Sequence, residues 1–149
     1  MAEKYDFDRF VTAQDGGVFE RALAELQNGQ KSSHWMWFVF PQIEGLGSSA
    51  MARRYALSGL AEARAYAAHD ELGPRLYEAS EAMVEWAGTM SADEILGTVD
   101  AMKFRSSMTL FEAAADDDQV FADALDGFYN GERCPLTLER VGTSGKVEV

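Results

Sequence analysis

The chain has 149 residues, of which 47% are hydrophobic and 26% are charged. Its 13 lysines and arginines against 25 aspartates and glutamates give a net charge of −12. The length predicts one domain, and the apolar content is too high for a disordered chain. A field of this sign repels phosphate backbones and anionic lipids, so we expect neither a nucleic-acid polymer nor a membrane as partner.

The first six residues carry charges where an export signal needs an apolar core, and no apolar run approaches membrane-spanning length. Cys134 is the single cysteine, which excludes an internal disulfide and a multi-cysteine zinc site. A lone thiol of this kind is more often inert than catalytic. These features predict a cytoplasmic protein with no cofactor and no metal, and they leave its oligomeric state open.

Helical spacing of apolar residues recurs along most of the chain. Ser91 and Glu94 have the spacing of a capping box, and Pro74 fits the first turn of a helix. The sequence therefore predicts an all-α, compact single-domain globule of about six to eight helices over residues 1–141, with a disordered tail over 142–149. The helical patterns, in chain order, cover residues 7–11, 18–26, 58–69, 72–86, 91–96, 102–111 and 120–128.

The segment 29–42 departs from an ordinary helical pattern, and its aromatic core suits a buried strand as well as a short helix. Trp35 and Trp37 can be explained as core residues, since each buries a large area. A purely structural plug does not need the polar side chains around them, whereas a small-molecule pocket does. The flanking hydrogen-bonding residues are Lys31, Ser32, Ser33, His34 and Gln42.

The second unusual segment is 100–111, in which Lys103 and Ser107 stand four residues apart, as do Arg105 and Thr109. On a helix these cation–hydroxyl pairs project from neighbouring faces, and Asp100 can pair with Lys103. An ordinary solvated helix face with one ion pair explains the same pattern.

Both segments are locally basic within an acidic chain. If the fold brings them together, they form an electropositive pocket that holds a small carboxylate or phosphate. Ser48 and Ser49 can begin a helix beside it, and Gly45 and Gly47 permit a close backbone approach. The predicted ligand-binding residues are Lys31, Ser33, His34, Trp35, Trp37, Gln42, Lys103, Arg105, Ser106 and Ser107.

Patterns typical of catalysis are scarce, since no Rossmann, P-loop, zinc-protease or serine-hydrolase motif occurs. His34 is the candidate acid or base, and Ser106 or Ser107 could reach it from the second segment. His69 ends an Ala-rich helix and is interpreted as a partner of that helix's dipole.

The chain closely resembles the family known as domain of unknown function 1810, sometimes labelled calpastatin-like. The resemblance is found in residues 31–42, 45–48 and 103–111, together with 8–14 and 71–76. The resemblance extends to about residue 138. It implies a compact all-helical domain in a bacterial or fungal cytosol, with no established activity.

The chain departs from the family pattern at Ser32, where a second basic residue is expected, and at Cys134 and Pro135, which replace an acidic segment. The calpastatin label does not fit, because such an inhibitor is a disordered repeat protein and this chain has a core-forming composition.

Three functions are consistent with these observations. We favour a binding pocket for a small anionic ligand derived from a nucleotide or a sugar phosphate. The first alternative is a hydrolase or transferase that acts on such a ligand with His34 as acid or base. The second is a protein-interaction adaptor that presents Trp35 and Trp37.

Overall fold

The structure, a computed structural model, describes residues 5–145, with side chains described as far as residue 142. Over this range the chain is all helical, as predicted, and the β-structure is a single parallel bridge between Ile43 and Leu57. The helices are α1 (Asp8–Gln14), α2 (Val18–Gln27), α3 (Met36–Val39), α4 (Ala50–Arg54), α5 (Leu60–Ala68), α6 (Leu72–Val84), α7 (Ala92–Leu96), α8 (Thr98–Ala114), α9 (Gln119–Tyr129) and α10 (Pro135–Gly145).

The predicted number of helices was too low, because the described residues form ten. Helices α3 and α4 were not among the helices identified by apolar spacing, because their four and five residues are too few to produce a helical repeat. Helix α10 has the reverse of the usual pattern, since Leu136 and Leu138 are exposed and Thr137 is fully buried. Apolar spacing therefore could not identify it.

The predicted boundary between domain and tail at residue 142 lies inside α10, which continues to Gly145. Residues 146–149, the rest of the predicted tail, lie outside the described residues.

Helix α8 is the central element of the fold and packs against α3, α5, α7, α9 and α10. Phe104, Met108, Leu110 and Phe111 of this helix have no exposed surface. Around it, α6 packs against α2, α5 and α9, so the core lies between these two helices and their neighbours. A helix covered on most sides carries apolar residues all round.

Aromatic rings connect the helices across this core. The rings of Phe40, just after α3, and Phe104 of α8 meet edge to face with centroids 4.8 Å apart. Phe10 of α1 and Tyr66 of α5 meet in the same way at 5.0 Å. Such pairs add to the burial of their large apolar surfaces.

Two capping arrangements fix helix starts. The predicted capping box is confirmed, because Ser91 Oγ accepts from the Glu94 amide at 3.0 Å and Glu94 Oε1 accepts from the Ser91 amide at 2.8 Å. His69 differs from its interpretation as a dipole partner of α5. Its Nδ1 accepts from the amides of Glu71 and Leu72, both at 3.1 Å, so it satisfies donors at the start of α6.

Helices α5 and α6 approach closely at Gly73. A Cβ atom at this residue would lie 2.3 Å from the backbone oxygen of Ala67, a contact that only a backbone shift can relieve. The absence of a side chain at Gly73 therefore sets the distance between the two helices.

We predict that Gly73→Ala lowers the free energy of unfolding by about 1 to 3 kcal/mol, because the helices must separate. Urea denaturation measures the change. Gly142→Ala is the matched control, since nothing lies within 4 Å of its added Cβ, and it should cause no loss. Equal stability of the two variants would contradict the prediction.

Candidate functional site

A buried carboxylate, that of Glu25 on α2, organises the first polar segment. Its Oε1 accepts from the amides of Ser32 at 2.9 Å and Ser33 at 3.1 Å, and from Trp35 Nε1 at 2.8 Å. Its Oε2 accepts from Ser33 Oγ at 2.7 Å. Burial raises the pKa of Glu25, but these hydrogen bonds outweigh burial and lower it from 4.5 to about 2.

Sequence analysis did not identify Glu25. The available signal was an acid on the apolar face of α2, beside Ala22 and Leu26 at helical spacing. The network also defines the roles of two predicted ligand contacts, Ser33 and Trp35. Their polar groups donate to Glu25, and Trp35 is only 1% exposed, so both residues fix the segment in place.

The two basic segments meet around Asp100. Its carboxylate binds Lys31 Nζ at 2.8 Å and Lys103 Nζ at 3.5 Å, which confirms the expected pair between Asp100 and Lys103. Lys31 Nζ also lies 5.1 Å from the ring centroid of Trp35, and Lys103 Nζ lies 4.7 Å from that of Trp37. Lys31, Trp37 and Lys103 are therefore neighbours, a point that the sequence left open.

Arg105 lies elsewhere. Its Nε donates to the carbonyl of Glu132 and its Nη2 to the carbonyl of Arg133, both at 2.8 Å. The guanidinium thus ties α8 to the segment between α9 and α10 and is not beside the lysines. Arg105 acts here as a structural connection.

The two serines of α8 do not join His34. Ser106 Oγ donates to the carbonyl of Met102 at 3.1 Å, and Ser107 is fully buried, with no hydrogen-bond partner for its hydroxyl among the described residues. His34 is exposed, and none of the hydrogen bonds within the described range involves its ring. The expected Ser–His pair is thus absent from this part of the chain.

A cleft of about 460 Å³ opens between residues 42–56 and Arg140 of α10. Its walls include the apolar side chains of Ile43, Leu46, Ala52 and Ala56. Gln42 lines this cleft and is separate from the lysine pair around Asp100.

Two guanidinium groups line the cleft from opposite parts of the chain. Arg53 of α4 donates to the carbonyl of Ser48, and the Ser49 hydroxyl accepts from the Ala52 amide at 3.1 Å, so the predicted helix start at Ser49 is confirmed. Arg140 of α10 is exposed, and its guanidinium has no ion pair or hydrogen bond to another described residue.

Gly45 makes room for Arg140. Its φ is +93°, which favours glycine, and a Cβ atom here would lie 2.2 Å from the Arg140 Cζ. Sequence analysis noted Gly45 but missed Arg140, because nothing near residue 140 indicates that α10 packs beside residue 45. The expected close approach at Gly45 is thus to a side chain of the protein itself.

The cleft differs in charge from two other clefts of the molecule. Two other clefts, of about 340 and 390 Å³, share Tyr77, Glu81 and Asp117. Burial raises the pKa of Tyr77, and the negative charge of Asp117 adds to this effect. The charged side chains of these two clefts are mostly acidic, whereas those of the cleft beside α10 are Arg53, Arg140 and Glu44.

Within residues 5–145, no group of three or more metal-binding side chains is close enough to hold an ion. No helix in that range has the length and apolar character needed to cross a bilayer.

Over the described residues, the chain is an all-helical domain with a cleft lined by Arg53 and Arg140. The chain belongs to the protein family of unknown function DUF1810, whose family model matches residues 4–141. Its fold is similar to the crystal structure of the conserved hypothetical protein Rv1873 from Mycobacterium tuberculosis, with a TM-score of 0.88 and 45% identity. The match covers 92% of this chain and 96% of the other. No curated protein matches the sequence.

We predict that Glu25→Ala lowers the free energy of unfolding by about 2 to 3 kcal/mol at neutral pH, because buried donors lose a charged acceptor. Chemical denaturation with tryptophan fluorescence measures the loss.

The pH dependence is a separate test. A lowered pKa means that the stabilisation by Glu25 is complete above pH 4.5 and disappears as the pH falls toward 2. The stability difference between wild type and Glu25→Gln should therefore shrink over this interval, since glutamine does not titrate. A constant difference would show that Glu25 has an ordinary pKa.

Proposed function

We propose that the protein binds a small anionic molecule in the cleft between residues 42–56 and α10. The observation that carries this proposal is the pair of guanidinium groups, Arg53 and Arg140, lining one cleft of about 460 Å³ with apolar walls. This volume lies within the range of sites for metabolites and cofactors.

The chemistry of the lining favours a phosphate or carboxylate ligand. A guanidinium group presents a planar set of donors that matches both anions, and Arg140 has these donors unused. Glu44 also lines the cleft, so its charged side chains are two cations and one anion. A carboxylate beside the cations suits a ligand that carries hydroxyl groups as well as a phosphate, as sugar phosphates and nucleotides do.

The lysine pair around Asp100 is a less favourable place for the anion. Lys31 and Lys103 already share the carboxylate of Asp100, and a ligand would have to compete with it. Of the predicted residues, Gln42 is the one placed at the arginine cleft, and a role for Lys31, Trp37 and Lys103 would require a ligand that extends to them.

The two alternatives have less support. Catalysis by His34 needs a partner that orients its ring, and this exposed histidine has none in the described range. An adaptor that presents both tryptophans needs exposed indoles, but Trp35 is 1% exposed. We also propose a cytoplasmic location, which the single cysteine favours.

We predict that wild-type protein binds at least one of three probes, inorganic pyrophosphate, AMP or glucose 6-phosphate, and that Arg140→Gln weakens this binding about tenfold or more. Isothermal titration calorimetry measures the dissociation constants. A probe present at 100 times its dissociation constant should also raise the free energy of unfolding by about 2.7 kcal/mol.

The matched control is Arg21→Gln, which removes the same charge from an exposed position on α2 outside the cleft. It should bind like wild type, and glucose should not bind at all. The proposal is wrong if Arg140→Gln retains wild-type affinity, or if none of the three anions binds.

A further inference from the structure

The guanidinium group of Arg140 lies flat on the backbone at Gly45. A Cβ atom at Gly45 would be 2.2 Å from the Arg140 Cζ, 2.4 Å from Nη1 and 2.6 Å from Nη2. Because the central carbon is the nearest of these three atoms, that position lies over the face of the planar group and not beyond its edge. The α-carbon of Gly45 therefore covers one face of the guanidinium.

This orientation leaves the edge of the guanidinium available to a ligand. The N–H donors of an arginine lie in the plane of the group, so here they point sideways from Gly45. None of them donates to a residue in the described range, and Arg140 lines the cleft. An anion in the cleft can therefore accept two parallel hydrogen bonds from this edge.

The contact requires glycine at residue 45. The φ of Gly45 is +93°, in the left-handed region, and a side chain here would occupy the space of the guanidinium. An exposed arginine samples many rotamers, and fixing one of them costs entropy when a ligand binds. A flat surface against the guanidinium limits this motion before the ligand arrives. Gly45 thus acts as a positioning residue for Arg140.

Other donors around the cleft suit an anion with more than two oxygens. Arg53 donates to the Ser48 carbonyl, and its guanidinium has no other acceptor among the described residues. The backbone amides of Gly45, Leu46 and Gly47 also donate to no residue within 5–145. One guanidinium edge satisfies the two oxygens of a carboxylate, whereas a terminal phosphate has a third oxygen that can accept from further donors.

We propose that Gly45 positions Arg140 for a terminal phosphate group, which binds the edge of this guanidinium and also accepts from Arg53. This inference rests on the proposed anion binding in the cleft and narrows it in two respects. The ligand carries a phosphate with three free oxygens, and not a carboxylate or a phosphodiester. Its affinity depends on Gly45, a residue that offers the ligand no side chain.

The first experiment measures the binding of pyrophosphate, AMP and glucose 6-phosphate to Gly45→Ala by isothermal titration calorimetry. The added Cβ displaces only the end of a flexible side chain, so the variant should fold. Its affinity for each probe that binds wild type should fall about fivefold or more, because the guanidinium is no longer held in place. Wild-type affinity in this variant would overturn the inference.

The matched control is Gly88→Ala. Gly88 has a φ of +87°, and nothing lies within 4 Å of an added Cβ, so this variant carries a similar backbone strain away from Arg140. It should bind like wild type. An equal loss of affinity in Gly88→Ala would show that backbone strain alone explains the effect.

The second experiment distinguishes an effect through Arg140 from a disturbance of the loop. Arg140→Lys keeps the charge but has no planar group to lie on residue 45. In this background, Gly45→Ala should weaken binding by less than about twofold, since the two residues act as one unit. Equal losses in the wild-type and Arg140→Lys backgrounds would contradict the assignment of Gly45 as a positioning residue.

The third experiment tests the class of ligand with analogues that lack the third phosphate oxygen. Cyclic AMP is compared with AMP, glucuronate with glucose 6-phosphate, and malonate with pyrophosphate. For each probe that binds, we expect its analogue to bind about tenfold more weakly. Equal affinities would show that the cleft accepts anions in general, and the assignment to a terminal phosphate would be wrong.

These outcomes are distinct from a failure of the proposed function. If no probe binds wild type, or if Arg140→Gln binds like wild type, both the anion site and this inference are wrong. If the probes bind and depend on Arg140, but not on Gly45 or on the third oxygen, the anion site stands and this inference alone is wrong.

Discussion

The carboxylate of Glu25 is the interaction on which the polar part of this structure depends. Four donors from residues 32–35 surround it, so the chain between α2 and α3 is held by one side chain. A charge buried in this way is stable only while its hydrogen bonds are complete. The same contact seats Trp35 against Phe40, and Phe40 in turn packs on Phe104 of α8. This arrangement places Lys31 Nζ 2.8 Å from the carboxylate of Asp100.

The basic side chains of helix α8 lie in two separate parts of the structure. Lys103 faces the segment after α2, whereas Arg105 faces the segment before α10. Residues two apart on a helix do not share a face. Basic residues that are close in sequence are therefore not gathered at one site, and the cleft at Arg53 lies beside Arg140 in the middle of α10.

The sequence identified side chains that donate hydrogen bonds, but it did not identify the groups that accept them. Ser33 and Arg105 were identified as donors, and both donate, but to Glu25 and to backbone carbonyls of the protein itself. A buried donor requires an acceptor whether it belongs to the protein or to a ligand. Composition cannot distinguish the two cases, because the acceptor lies on another element.

By itself the sequence determined the all-helical class, the capping box at Ser91 and the helix start at Ser49. These features depend on neighbours within a few residues, where spacing and capping chemistry are decisive. Only the tertiary structure placed Arg140 against Gly45 and Cys134 beside Ser106. Both contacts arise from the packing of α10 against the rest of the fold. In this helix Thr137 is buried and Leu136 and Leu138 are exposed, so apolar spacing does not predict how it packs.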